Sequence, residues 1–293
     1  MSGAVLAIDL GGTRFRAGVA SIADPAAVRA VGEWPAPRDR DSFLTLLREQ
    51  LAASGADHLG IGVPGLVRGS VCTWIPNLPY LDGLDLAATF PGISVALGND
   101  AHMALVAEAA AGAAAGVKDA VLLAIGTGIG SAVLVGGRIV EGSHGGAASF
   151  GWAAADQHDA GDDVSGWLER HASGRALDGI AKGLGLPDGA ALVEAARSGD
   201  AQALAALQPP MRALGTALAG IVALLDPSVV ILSGGVVKSF DVLAPMIREA
   251  LRRQLPAHLR GIELTAGHFG ARAGLVGAAF AGSRGPDWRH QHG

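Results

Sequence analysis

The chain of 293 residues has one cysteine, Cys72, so it cannot form an internal disulfide, and a reducing cytoplasm is the expected compartment. It has no basic excess either: 22 Lys and Arg against 27 Asp and Glu give a net charge of -5. Without a basic stripe, nucleic acid is not an expected partner. The amino terminus carries no basic segment ahead of its first apolar run, which breaks at Asp9, so no signal peptide is expected. Long uncharged runs are nearly absent. The longest, Ala120 to Gly137, contains five glycines with Thr127 and Ser131 and alternates with a period of two. It therefore reads as a hairpin rather than a membrane span. The mean hydropathy of +0.37 comes from abundant alanine and glycine rather than from large apolar surfaces. No low-complexity linker interrupts the chain. What is present is a 50% hydrophobic composition, enough to bury the core of one large or two medium domains.

Two glycine-dense turns about 115 residues apart dominate the pattern. Asp9-Leu10-Gly11-Gly12-Thr13-Arg14-Phe15-Arg16 follows the apolar run Val5 to Ile8, and Gly126-Thr127-Gly128-Ile129-Gly130-Ser131 follows Val121 to Ile125. Glycine lets backbone N–H groups approach an anion without a Cβ in the way, and a neighbouring hydroxyl adds a donor, so each turn suits a phosphate cradle. Each turn is continued by alternating apolar residues, Phe15, Ala17 and Val19 in the first and Ile129, Ala132 and Leu134 in the second. That continuation as a strand excludes the P-loop and the dinucleotide fingerprint, both of which run into a helix. The competing reading is a pair of ordinary hairpins whose glycines only supply positive φ.

Strands and helices alternate along the rest, the pattern of an α/β protein. Strands are expected at 5–8, 15–20, 28–34, 58–63, 93–97, 229–232 and 262–266. Helices are expected at 42–53 with Ser42 as N-cap, from Asn99-Asp100 to about 115, near 165–172, 175–184, 190–198 and 211–225, then from Ser233-Gly234-Gly235 to about 253, and over 273–281. The tail from Ser283 to Gly293 reads as frayed. Gly116 to Asp119 marks the best boundary, dividing an N-terminal α/β domain, 1–116, from a C-terminal one, 117–293, with the terminal helix free to pack back on the first.

The ordered signatures Asp9-Leu-Gly-Gly-Thr-Arg-Phe-Arg, Gly62-Val-Pro-Gly65, Pro76-Asn77-Leu78, Asn99-Asp100, Gly126-Thr-Gly-Ile-Gly130 and Leu225-Asp-Pro-Ser-Val-Val-Ile-Leu-Ser-Gly-Gly-Val236 resemble those of the ROK sugar kinases. These belong to the actin, Hsp70 and hexokinase superfamily, and the likeness runs from Asp9 to about Gly282. It implies two ribonuclease-H-like domains with ATP and a sugar in the cleft between them. Acting on a hexose, most simply at its 6-OH, is the activity it implies. It also places Gly65, Asn77, Asn99 and Asp100 on the sugar side, and Gly11, Gly12, Gly126, Gly128, Gly234 and Gly235 on the nucleotide side, with a homodimer expected by analogy.

Residue chemistry supports that scheme. Phosphoryl transfer to an alcohol needs positioned phosphates, a metal that neutralises charge and a base. The turns supply the first, with Thr13, Arg14 and Thr127 as side-chain donors. Asp9, at a strand end beside the first turn, suits hydrated Mg²⁺, which prefers a carboxylate plus waters and phosphate oxygens. Asp100 is the candidate base, and Asn99 can donate to and accept from a second hydroxyl. The pair also suits a plain helix N-cap, and Asn77 suits a turn. Ser233-Gly234-Gly235 reads as a strand-to-helix turn; the resemblance makes it the adenosine contact.

Departures from the family pattern bear on the acceptor. Where the family carries Gly-Glu-x-Gly-His, this chain has Ala148-Ser149-Phe150-Gly151-Trp152, so Ser149 replaces the acidic sugar ligand and Trp152 replaces the histidine that also binds zinc. Trp167, Asp162 and Ala160 stand where three zinc cysteines are expected. A Cys₃His zinc site cannot be assembled with one cysteine. His144, His158 and His171 are candidates for another metal, against the commoner solvated role. Glu169 is retained as an acidic hydroxyl ligand. An acceptor such as an amino sugar or an inositol-like cyclitol, and glucose itself with water filling the gap, both stay open, as does the choice between ATP and polyphosphate. A ROK-type DNA-binding regulator is disfavoured by the acidic chain and by Asp9 lying eight residues from the start. A catalytically inactive sugar sensor is disfavoured by retention of Asp9, both turns and Asp100.

Overall fold

The computed structural model of the chain describes residues 3–159 and 165–289. It divides into two compact units, one of residues 1–118, 136–147 and 271–293, the other of residues 119–135 and 148–270.

The first unit opens with β1 (Ala4–Leu10) and β2 (Arg14–Ser21), an antiparallel pair whose register Leu10↔Phe15 encloses the first glycine turn. Next come β3 (Asp24–Pro35), α1 (Arg40–Ser54), β4 (His58–Val63), the small hairpin β5 (Leu66–Arg68) and β6 (Val71–Trp74), α2 (Leu86–Thr89), β7 (Ser94–Asn99) and α3 (Asp100–Ala111). Its sheet has the order β3-β2-β1-β4-β7, antiparallel on the β2 side and parallel from β1 to β7. The helix α1 buries Phe43, Leu47 and Leu51, spaced by four, as one helical stripe requires. Its N-cap is Asp39, whose carboxylate accepts the Ser42 N–H at 2.8 Å, so the expected capping by Ser42 is displaced by three residues. The stronger acceptor wins the cap, and Ser42 donates its hydroxyl to the same carboxylate at 2.9 Å.

The second unit contains β8 (Ala120–Ile125) and β9 (Ile129–Val135), paired antiparallel with Ile125↔Ile129 around the second glycine turn. The chain then passes β10 (Arg138–Ile139) before α4 (Trp167–Ala172), α5 (Gly174–Gly183), α6 (Gly189–Arg197), α7 (Ala201–Leu225), β11 (Val229–Ser233), α8 (Phe240–Gln254) and β12 (Glu263–Ala266). Within this unit the strand order β9-β8-β11-β12 repeats the plan of the first, a glycine hairpin beside parallel strands. The long α7 begins ten residues before its expected start and carries Pro209 and Pro210 inside it. Each proline removes a helical donor, but Ala205, whose carbonyl Pro209 leaves unbonded, lies exposed where water can satisfy it.

Finally α9 (Ala273–Arg284) covers the first unit's sheet. Its small residues are a packing requirement: a Cβ on Gly60 of β4 would collide with the Ala278 carbonyl, and one on Gly277 with the Met103 carbonyl of α3. As far as Arg289 the tail is ordered rather than frayed; residues 290–293 of the segment expected to fray lie outside the described residues. A short turn, Gly285–Asp287, delivers Trp288 into the core at 1% exposure, its ring over Gly98 of β7. Arg289 then donates to the Leu97 carbonyl at 3.3 Å and pairs with Glu141 at 2.6 Å. Among the described residues no helix is long and apolar enough to cross a membrane.

Candidate active site

In both sheets the parallel strands end beside a glycine hairpin, and the carboxyl ends of parallel strands are where α/β folds present their ligand groups. In the first unit the registers Asp9↔Gly62 and Gly62↔Gly98 set the ends of β1, β4 and β7 in one row. Asp9 and the Asn99-Asp100 pair are therefore brought to one edge although they are 90 residues apart in the chain. Gly62 faces Asp100, whose Cα would lie 3.6 Å from a Cβ placed there. Asn99 is the N-cap of α3, accepting the Ala101 N–H at 2.9 Å, while its Nδ2 donates to the Gly65 carbonyl at 3.1 Å. Capping is thus done by Asn99, which also ties the Pro64-Gly65 turn to the helix start.

Asp100 also accepts the Ala101 N–H, at 2.7 Å. Burial, and secondly the negative Asp9, push its carboxyl up to about 6. Two carboxyls that share a site disfavour joint ionisation, and a base poised near neutrality is the kind proton abstraction uses. Asp9 is raised as well, by burial, with Arg16 opposing the shift through an ion pair at 3.2 Å. Asn77 lies over the first turn, its Cβ 3.2 Å from where a Gly12 Cβ would stand. Gly12 and Thr13 are exposed, and the Gly11 N–H closes the turn onto the Arg14 carbonyl at 2.8 Å. Both arginines of this turn lie against carboxylates: Arg14 pairs with Glu33 at 2.9 Å, and Arg16 bridges Glu33 and Asp9.

In the second unit, the Gly126 N–H bonds the Gly128 carbonyl at 3.0 Å, leaving Gly126 and Thr127 exposed. The start of α5 docks on this turn, with Gly174 N–H to the Gly126 carbonyl at 2.7 Å and Arg175 N–H to the Thr127 carbonyl at 3.4 Å. Glu169 accepts the Ile129 N–H at 3.1 Å and lies against Gly128 and Gly151. It therefore joins the turn to the Ser149–Trp152 segment. Gly234, at φ +80, brings β11's end against the Ile125 carbonyl, which a Cβ would approach to 2.7 Å. A cavity of about 170 Å³ opens beside it, lined largely by apolar residues with Gly126, Gly174, Gly235, Ser239 and Asp178. Asp178 is its one acidic side chain among the lining residues, and its Oδ1 accepts the Gly189 N–H at 2.8 Å. A mostly apolar slot with a few polar groups suits a flat base and ribose.

The loop bearing the substituted residues is held by Ser131, whose hydroxyl donates to the Ala148 carbonyl and accepts the Phe150 N–H at 3.0 Å. Ala148 takes a left-handed φ of 61°, a conformation that non-glycine residues adopt at a cost. Ser149 and Trp152 are exposed. His171 pairs with Asp159 at 2.7 Å and stacks near Trp167, while His158 lies against Gln157. Among the described residues no three metal-ligating side chains converge; Ala160 and Asp162 lie outside those residues.

Sequence reasoning missed Ser131, Arg175, Asp178 and Trp288. Ser131 directly follows the second turn and alternation would place it, but nothing local announces its partner 17 residues on. The other three depend on packing between distant segments.

The two matching sheets, each pairing a glycine hairpin with parallel strands, define an actin-like phosphotransferase architecture, and residues 5–282 match the model of the ROK family. The chain belongs to the ROK family, and within it resembles the sugar kinases over nearly its whole length. It is 28% identical to the glucokinase of Streptomyces coelicolor, over 94% of this chain and 96% of that one. It is 32% identical to the N-acetylmannosamine kinase of Escherichia fergusonii, again over 94% and 96%. Among solved structures, the ROK glucokinase of Streptomyces griseus in complex with glucose and AMPPNP superposes with a TM-score of 0.80 at 27% identity, over 97% of this chain and 100% of that one.

Proposed function

We propose that this chain transfers the terminal phosphoryl group of ATP to a hydroxyl, most simply the 6-OH, of a hexose or related amino sugar or cyclitol. The observation that carries this reading is Asp100: a carboxyl raised to about 6 at a strand end, beside Asn99 and one row from Asp9 and the first glycine turn. In this reading the acceptor hydroxyl hydrogen-bonds Asp100, which takes its proton as the oxygen attacks phosphorus, while Asn99 and Asn77 orient the ring. In each turn the first glycine N–H closes the loop, so the N–H groups of Gly12 and Thr13, and of Thr127 and Gly128, bind phosphate oxygens, and the cavity beside Gly235 takes the nucleoside. A relative solved with AMPPNP and glucose supports a nucleoside triphosphate as donor.

The residues present fit Mg²⁺. Asp9 is a partly buried carboxylate at the phosphate turn, raised by burial, with a single side-chain partner among the described residues. A divalent cation, when bound, neutralises charge on the phosphates, and Asp9 would hold it through water.

For the acceptor, the two families of relatives point to glucose and to N-acetylmannosamine. Ser149 offers a neutral hydroxyl and Trp152 an open aromatic face, a combination that favours a ring bearing an acylamino or cyclitol substituent over one read by a carboxylate. The test is direct detection of phosphorylated product across glucose, mannose, N-acetylated hexosamines and inositols, with Mg-ATP. A phosphorylated amino sugar or cyclitol as best product supports the reading; glucose as clearly best overturns the acceptor choice, and no product with any acceptor overturns the kinase itself.

A further inference from the structure

Resting on the kinase reading, we infer that Arg175, the second residue of α5, is the arginine that grips the donor's phosphate chain. A nucleoside triphosphate brings several negative charges to the glycine turns. The arginines of the first turn are already drawn to carboxylates, Arg14 to Glu33 at 2.9 Å and Arg16 to both Asp9 and Glu33. Their charge is largely offset where it stands. At the second turn the situation differs. Among the described residues the Arg175 guanidinium has no ion-pair or hydrogen-bond partner, while its own backbone N–H is fixed to the Thr127 carbonyl.

That backbone bond places the root of the side chain against the exposed Gly126-Thr127 turn. The side chain also lines a hollow of about 190 Å³ with Ser165, Glu169, Arg170 and Ser173. Glu169 there is bound to the Ile129 N–H of the same turn, and Arg170 pairs with Asp159 at 2.9 Å. The uncommitted cation beside the turn is therefore Arg175. Arginine suits the task because its planar fork makes paired, charge-assisted bonds to phosphate oxygens. The docking of α5 has a second effect. With Ser173 as N-cap accepting the Ala176 N–H at 3.3 Å and Gly174 pinned to Gly126, the helix start is fixed, so binding need not order the backbone that carries the side chain.

The experiment compares wild type with Arg175→Ala and Arg175→Lys, and with Arg253→Gln on α8 as a charge-matched control. Binding of AMPPNP and of adenosine is measured by calorimetry, and KM for ATP and for the acceptor is measured separately. Losing one charge-assisted contact corresponds to about a ten- to hundredfold weakening. Expected are that rise in AMPPNP dissociation constant and ATP KM for Arg175→Ala, partial recovery in Arg175→Lys, unchanged adenosine binding, and no effect of Arg253→Gln. Equal AMPPNP affinity in wild type and Arg175→Ala overturns the inference while leaving the kinase reading intact. Failure of wild type to phosphorylate any acceptor would instead strike the kinase reading, since the binding comparison stands without turnover.

Discussion

At the scale of single residues, the proposed chemistry turns on how one carboxyl is held. Asp100 sits at about 6 because burial, and then Asp9, resist its ionisation. As a base it works only when ionised, so kcat/KM for the acceptor is expected to rise with pH through about 6 and to fall about tenfold per unit below it. A pH-rate profile flat down to pH 4.5 would remove Asp100 from that role. Its folded pKa lies above the unfolded value of 3.8, so the folded chain binds more protons between the two, and this group's contribution to stability declines as pH climbs from about 4 to about 6. Asp100→Asn is accordingly expected to lose about 10²–10⁴ in kcat while unfolding at a temperature no lower than wild type at pH 7. Residue types together with the family resemblance pointed to Asp9, Asn99 and Asp100. A helix N-cap is one of the two readings the Asn99-Asp100 pair offers; that Asn99 rather than Asp100 takes it and also binds Gly65 depends on where β4 ends beside β7.

At the scale of elements, two connections support the site. Ser131 on β9 holds the loop that presents Ser149, bonding residues on either side of it. Ser131→Ala leaves a carbonyl and an N–H without their partner, at a cost of about 1–3 kcal/mol, and is expected to raise KM for the acceptor more than KM for ATP. Equal changes in both would mean the loop does not serve the acceptor. The second connection is the carboxyl-terminal turn after α9, whose Trp288 fills the space over Gly98. Truncating a buried tryptophan costs about 3–5 kcal/mol, so Trp288→Ala should lower the unfolding free energy by that amount, read as an earlier denaturant midpoint at unchanged slope, and Trp288→Phe by less. The tail from Ser283 is expected to fray on sequence grounds because terminal residues order only when something ties them down. Only the glycine at position 98 of a distant strand makes room for the ring.

At the scale of the whole molecule, two units repeat one plan, and in the proposed function each unit carries part of the chemistry. Asp9, the first turn, Asn77 and Asp100 belong to the first; the second turn, Glu169, Arg175 and the cavity beside Gly235 belong to the second. Adenosine alone, which has no phosphates, is therefore expected to slow amide exchange around Ile125–Thr127, Gly174–Asp178 and Gly235 and to leave Asp9–Arg16 unchanged. Protection confined to the first unit would place the nucleoside elsewhere.

The α/β class, the two hairpin turns and the acidic residues beside them were determined by the sequence itself, because β-alternation and glycine placement are local properties of a few neighbouring side chains. Ser131's grip on the Ala148 loop, Trp288's burial, the Asp9–Asp100 field and the bare charge of Arg175 were decided only by the tertiary structure. Each is a difference between what a group meets in the fold and what it meets in water, and that difference is set by residues remote in the chain.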